Sequence, residues 1–94
     1  MNMIAVDIGN TAIKIGLFVE DSERFIRTIQ ENQEDAIQRL GDVLVEAWDQ
    51  IPMGKDGRET RRDGWIVVSS VQDSWTEKME QICRDRLGEK ILLI

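Results

Sequence analysis

Histidine is absent from this sequence, cysteine and proline occur once each, and its 94 residues contain no long apolar run. Each scarcity removes a class of function. With no histidine and a single cysteine, Cys83, the chain has neither the ligands of a zinc centre nor a partner for an internal disulfide. That usage suits a reducing cytoplasm, which is the expected location. No segment approaches the roughly 18 consecutive apolar residues of a membrane-spanning helix, so no membrane span is expected. The start, Met1-Asn2-Met3-Ile4-Ala5-Val6, has no basic lead-in and reaches Asp7 too early to form the apolar region of a secretory signal. A basic surface is lacking as well. The 12 Lys and Arg are outnumbered by 18 Asp and Glu, for a net charge of -6, and a phosphate backbone attracts surfaces of the opposite sign, so nucleic acid is not an expected partner.

What is present is one small core. Hydrophobic residues make up 41% of the chain and charged residues 32%, enough for a single soluble domain spanning residues 1–94. Met3 to Val6 is a nearly continuous apolar run, the pattern of a strand buried on both faces. It runs into Asp7-Ile8-Gly9-Asn10-Thr11, where Gly and Asn suit the left-handed conformations of a tight turn. Ile13, Ile15, Leu17 and Val19 then alternate with Lys14, Gly16 and Phe18, the period of a strand. A turn at Asp21-Ser22 leads to a third strand, Arg24 to Gln30, in which Phe25, Arg27 and Ile29 oppose Ile26 and Thr28.

From Asn32 the period changes. Ala36, Ile37, Leu40, Val43, Leu44, Ala47 and Trp48 recur at helical spacing, with Asn32 as the expected cap and Glu34 and Asp35 in the first turn. Pro52 closes the helix. The segment Gly54 to Gly64 has three glycines, mixed charges and no apolar residue, and reads as a mobile loop. A fourth strand, Trp65 to Val68 with Ser69 and Ser70, precedes a capping-box pattern, Ser74-Trp75-Thr76-Glu77. Trp75, Met79, Ile82, Cys83 and Leu87 form the buried stripe of a second helix stopped by Gly88. Ile91 to Ile94 reads as a fifth strand. The order predicts a ribonuclease H-like α/β fold: a mixed five-stranded sheet, made of a three-strand antiparallel meander and two parallel strands, with helices on its faces.

The chemistry concentrates in the first turn. Backbone N–H groups of Gly9, Asn10 and Thr11 can converge on one anion without bulky side chains in the way. The Thr11 hydroxyl and the Lys14 ammonium add donors, and Asp7 can hold a magnesium ion through its waters. An Asp-x-Gly-Asn turn is also an ordinary hairpin. What separates this one is its place after a buried first strand, with a Thr and a Lys at this spacing and a meander behind it.

The run Asp7-Ile8-Gly9-Asn10-Thr11-Ala12-Ile13-Lys14-Ile15-Gly16-Leu17-Phe18, together with Ile66-Val67-Val68-Ser69-Ser70-Val71, resembles the type III pantothenate kinases of the actin, Hsp70 and sugar-kinase superfamily. The likeness covers essentially the whole chain. It implies ATP-dependent phosphorylation of pantothenate, the first committed step toward coenzyme A. It also implies Mg2+, a monovalent cation (K+ or NH4+) and a homodimer. Asp7, Gly9, Asn10, Thr11 and Lys14 would form the first phosphate-binding motif, with Asp7 the metal ligand. The chain departs from the family pattern after Ser-Ser-Val, where Gln72-Asp73 stands. The family's Gly-x-Asp-Arg segment, which carries the general base, and its second phosphate motif are expected beyond Ile94, as is the second domain. These 94 residues are therefore expected to be an N-terminal domain without turnover of its own.

The remaining candidates read more plainly. Ser69 and Ser70 either cap the next helix or touch substrate. Asp73 reads as a first-turn carboxylate, Trp48, Trp65 and Trp75 as packing residues, and Cys83 as a buried small hydrophobe. Arg58, Arg61 and Arg62 are broken up by Glu59 and Asp63 and read as a solvated loop. Two rivals stand beside the kinase: a noncatalytic regulator resembling the Bvg accessory factors of the same family, and a structural or filament-forming relative of actin.

Overall fold

The computed structural model describes residues 1–54 and 61–94. Its elements are β1 (Met3–Ile8), β2 (Ala12–Val19), β3 (Ser22–Gln30), α1 (Ala36–Asp49), β4 (Trp65–Ser70), α2 (Asp73–Ile82), a π-helical turn (Cys83–Leu87) and β5 (Leu92–Leu93). The strands form one sheet in the order β3-β2-β1-β4-β5. β1, β2 and β3 pair antiparallel, whereas β4 joins β1, and β5 joins β4, in parallel. This is the expected mixed sheet.

Strand alternation decides which residues meet the helices. Ile4, Val6 and Ile8 of β1 lie opposite Leu17, Ile15 and Ile13 of β2, while Ile4 and Val6 also lie opposite Ile66 and Val68 of β4. All of these are buried in one cluster with Leu40, Leu44, Ala47 and Trp48 of α1 and with Trp75, Met79, Ile82 and Cys83. Both helices thus serve the same face of the sheet. The alternate residues, Met3, Ala5 and Asp7 in β1, are only partly covered or exposed, so β1 is not buried on both faces as its apolar run predicts. The run looks continuous only because small and medium apolar residues, Met3 and Ala5, occupy the second face.

Several local expectations are corrected by backbone geometry. The β2–β3 turn is centred on Glu20 and Asp21, with φ of 52° and 67°, one residue earlier than Asp21-Ser22. Two successive left-handed residues match the twist of a two-residue hairpin, and both have help from outside the turn. The Glu20 N–H donates to Asn2 Oδ1 at 2.8 Å, and Asp21 pairs with the N-terminal ammonium at 3.2 Å. No residue of Gly9 to Thr11 is left-handed. Gly9 instead permits a close approach: a Cβ there would sit 3.3 Å from the Ala12 carbonyl oxygen.

Neither predicted helix cap forms. α1 begins at Ala36, with Asp35 at the cap position and no side-chain bond to the first amides, and its first turn holds no acidic residue. Asn32 lies in the preceding turns, where Ala36 N–H bonds the Gln33 carbonyl at 3.1 Å. α2 begins at Asp73 after Gln72, also without a side-chain cap, so Ser74 is already inside the helix. Ile37 is exposed rather than on the buried stripe of α1. Within α1, Gly41 gives close passage to the Arg86 guanidinium, which reaches Asp42 at 3.1 Å.

The second helix ends as a π turn at Cys83–Leu87. Gly88, at φ 69°, then takes the left-handed position. Its N–H bonds the Arg84 carbonyl, the 5→1 bond of an αL C-cap, and the Glu89 N–H reaches back across the π turn to the Cys83 carbonyl, each at 3.2 Å. Cys83 is fully buried, and its thiol pKa is pushed up to about 12 by burial and by the nearby Glu89 carboxylate. The fifth strand is shorter than Ile91 to Ile94. Residues 55–60 of the expected mobile loop lie outside the described residues. The flanks of that loop are tied together, since Met53 and Arg62 form an antiparallel bridge and Gly54 N–H bonds the Arg61 carbonyl at 3.1 Å.

Candidate phosphate-binding site

The side of the sheet opposite the helices carries the predicted chemistry. Asp7 lies opposite Lys14 in the antiparallel pairing and beside Ser69 in the parallel pairing, so Lys14, Asp7 and Ser69 form one row across β2, β1 and β4. All three are exposed. Among the described residues neither Asp7 nor Lys14 makes an ion pair or a side-chain hydrogen bond, which leaves the carboxylate and the ammonium available to a third group. Alternation explains the placement. Residue 7 has the opposite orientation to Val6 and Ile8, and residue 14 to Ile13 and Ile15, so a core on one face puts both charges on the other.

Beyond this row stretches a groove of ≈ 300 Å³ lined by Ala5, Gly16, Phe18, Ile26, Val67 and Ile94 as well as Asp7, Lys14 and Ser69. Its floor is apolar, and its charged end abuts the β1–β2 turn. A larger hollow of ≈ 750 Å³, lined by Trp48, Arg62, Trp65, Glu89 and Ile91 among others, holds none of the predicted site residues. Trp65 is 54% exposed and so is not the packing residue expected, whereas Trp48 and Trp75 are buried. Lys78 lies over the Trp75 ring, 4.5 Å from its centroid.

The turn itself is tightly tied on one side and open on the other. Gly9 N–H is used within the hairpin, donating to the Ala12 carbonyl at 2.9 Å, so it is not free for an anion as the sequence leads one to expect. The N–H groups of Asn10 and Thr11 donate no hydrogen bond among the described residues, and both residues are exposed. The Thr11 carbonyl accepts the Glu31 N–H at 2.9 Å. Gln72 Nε2 donates to the Gly9 carbonyl at 2.7 Å and to Glu31 Oε1 at 2.6 Å. Ser70 Oγ accepts the Gln72 N–H and donates to the Gln72 carbonyl, both at 3.0 Å. The two serines thus divide their roles. Ser70 faces the connection into α2 and Ser69 faces the open groove.

Sequence reasoning weighed Ser69 only as a helix cap or a substrate contact, noted Gln72 only as a departure from the family pattern, and left Glu31 out altogether. Ser69 was reachable through strand alternation once its parallel pairing with β1 is known. Glu31 and Gln72 carry no motif; only the meeting of the β3 end with the α2 start reveals them.

A magnesium ion fits this site only in one way. Among the described residues no three acidic, cysteine or histidine groups converge on a metal position, so those residues do not form a cage. A single exposed carboxylate at the carboxyl end of β1 suits an ion that keeps most of its waters and bridges to phosphate.

A family model described as type III pantothenate kinase matches residues 3–94. No curated protein matches the chain. Among solved structures, the type II variant of the Aquifex aeolicus Ppx/GppA phosphatase has 20% identity and a TM-score of 0.50, with 100% of this chain and 35% of that chain covered. Another structure, of the Aquifex aeolicus PPX-GPPA enzyme, has 20% identity and a TM-score of 0.49, covering 100% of this chain and 36% of that one. The chain therefore spans about a third of the length of these solved structures, and the likeness to the type II variant, at 20% identity, speaks to the fold alone.

Proposed function

Since the chain belongs to the type III pantothenate kinase family, we propose that it forms the ATP-phosphate-binding half of a kinase that phosphorylates pantothenate to 4'-phosphopantothenate. The observation that carries this reading is the row of Lys14, Asp7 and Ser69 on the open face, at the end of the strands joined by the turn whose Asn10 and Thr11 amides donate no hydrogen bond among the described residues. In this reading Asn10 and Thr11 N–H, with the Thr11 hydroxyl, bind phosphate oxygens of ATP. Lys14 neutralises charge on the same phosphates, and Asp7 holds the waters of magnesium. Bound magnesium would neutralise the charge that develops on the phosphoryl oxygens.

Phosphoryl transfer asks mainly for positioning and charge neutralisation. On this proposal the residues of this chain supply those two requirements. The general base, the pantothenate pocket, the second phosphate motif, the monovalent cation (K+ or NH4+) and the homodimer contacts belong, on this proposal, to the rest of the enzyme. A cytoplasmic location follows from the metabolic role.

The test is pantothenate phosphorylation by the full-length protein that contains this chain, compared with its Asp7→Ala and Lys14→Ala variants. Each substitution is expected to lower kcat/KM by about 100-fold or more, the scale of losing a charged contact to the transition state, with the circular dichroism spectrum unchanged. Unaltered turnover in both variants would refute the phosphate-site assignment. Absence of turnover in the unaltered protein would favour the noncatalytic regulator.

A further inference from the structure

The turn from Gly9 to Thr11 is held by residues that neither the motif nor the family resemblance assigns. Its two inner carbonyls are gripped from outside the hairpin. Thr11 C=O is held by the backbone of Glu31 at 2.9 Å, and Gly9 C=O by the side-chain amide of Gln72 at 2.7 Å. All peptide bonds of the described chain are trans, and in a trans peptide the C=O and the following N–H point in opposite directions. Fixing the Gly9 carbonyl toward Gln72 therefore fixes the Asn10 N–H away from it, and this N–H is one of the two amides of the turn that donate no hydrogen bond among the described residues. Gln72 is itself fixed. Both partners of its terminal group are acceptors, the Gly9 carbonyl and Glu31 Oε1, so only the NH₂ end can face them, and Ser70 Oγ holds its backbone.

Glu31 is the second unusual member. Its Oε2 is buried without a hydrogen-bond partner, an arrangement that costs the ligand-free chain stability. A leucine there would leave no buried polar side-chain atom unpaired. The position is explained better by what Glu31 does to Gln72 than by what it adds to the fold.

We propose that Gln72, oriented by Glu31, is a positioning residue that presets the Asn10 N–H for a phosphate oxygen. The proposal rests on the phosphate reading of the turn. Gln72 touches no phosphate itself; it acts through the Gly9–Asn10 peptide.

The experiment uses the isotopically labelled chain, with Gln72→Met, which keeps length and removes both donors, and Gln72→Glu, which keeps shape and removes them. In both, backbone order parameters at Gly9, Asn10 and Thr11 are expected to fall below about 0.6, the flexible range, while those of β1 stay at wild-type values. Dissociation constants for Mg-ATP and for inorganic tripolyphosphate should both rise about tenfold, the scale of one hydrogen bond to a charged group. Glu31→Gln, which keeps an acceptor for Gln72, should stay within about twofold of wild type or bind more tightly, because it removes a negative charge near the anion. A turn that stays rigid, or unchanged affinity in both Gln72 variants alongside normal wild-type binding, overturns the proposal and leaves the phosphate reading standing. Failure of the wild-type chain to bind either probe overturns the phosphate reading, and the positioning role falls with it. Lower melting temperatures with unchanged affinity and order parameters would mark Gln72 as structural only, and would also overturn it.

Discussion

The two faces of this sheet are built from the same strands and have opposite characters. On one, Ile4, Val6, Ile13, Ile15, Leu17, Ile66 and Val68 disappear under two helices. On the other, Asp7, Lys14 and Ser69 stand exposed beside half-covered Ala5, Phe18 and Val67. A single residue step along any strand crosses from the core to the candidate site. Stability and proposed function are therefore separable here by position parity, and substitutions of similar size on the two faces should have very different consequences.

The largest contrast should appear between Ile15 and Ile26, both on the meander and lying on opposite faces. Ile15→Ala removes a fully buried side chain and should cost roughly 2–5 kcal/mol in urea unfolding, a large share of the stability of a small domain. Ile26, 55% exposed on the open face, should tolerate Thr within about 0.5 kcal/mol. Equal losses would show that the open face is also a core.

A smaller, pH-dependent effect belongs to Cys83 behind the helix face. Its thiol pKa rises from 9.0 to about 12 in the folded chain because burial disfavours the thiolate, aided by Glu89. The native state binds this proton more tightly than the unfolded chain does. The contribution is thus complete below pH 9.0 and drains away as pH climbs toward about 12. Urea midpoints followed from pH 8 upward should fall more for the wild type than for Cys83→Ala, so the two converge; parallel curves would contradict the assignment. The same burial predicts that alkylating reagents label Cys83 only after unfolding.

The smallest effect should come from the rim of the helix face. Arg27 pairs with Glu46 at 2.7 Å and lies over the Phe25 ring, 4.3 Å from its centroid. Both partners of the ion pair are substantially exposed, so Arg27→Ala should cost no more than about 1 kcal/mol. A greater loss would mean that this edge, too, belongs to the core.

Much of this contrast was legible in the sequence. The change from period two to helical spacing marks β2, β3 and α1, and the alternation of Ile13, Ile15, Leu17 and Val19 with Lys14 and Gly16 already separates the faces. The Asp7 to Lys14 motif points to the turn. What could not be read has identifiable causes. The open face of β1 was hidden because Met3 and Ala5 are apolar and yet half-covered, so composition did not reveal exposure. The helix starts were misplaced because Asn32 and Ser74 are good caps by type, while the chain turns through Gln33 to Asp35 and through Gln72 instead. The hairpin at Glu20 and Asp21 lacks glycine, and its left-handed residues lean on Asn2 and the N-terminus, which are distant in sequence. The Gln72 to Glu31 contact spans 41 positions and has no local signature at all.

The central claim is that the open face and its turn hold phosphate. Its most direct test is titration of the 94-residue chain with Mg-ATP while amide chemical shifts are followed. The account predicts saturable shifts at Asn10, Thr11 and Lys14, with little change in α1, and their loss in Lys14→Ala. Shifts confined to the helix face, or none at concentrations that saturate other nucleotide sites, would contradict it.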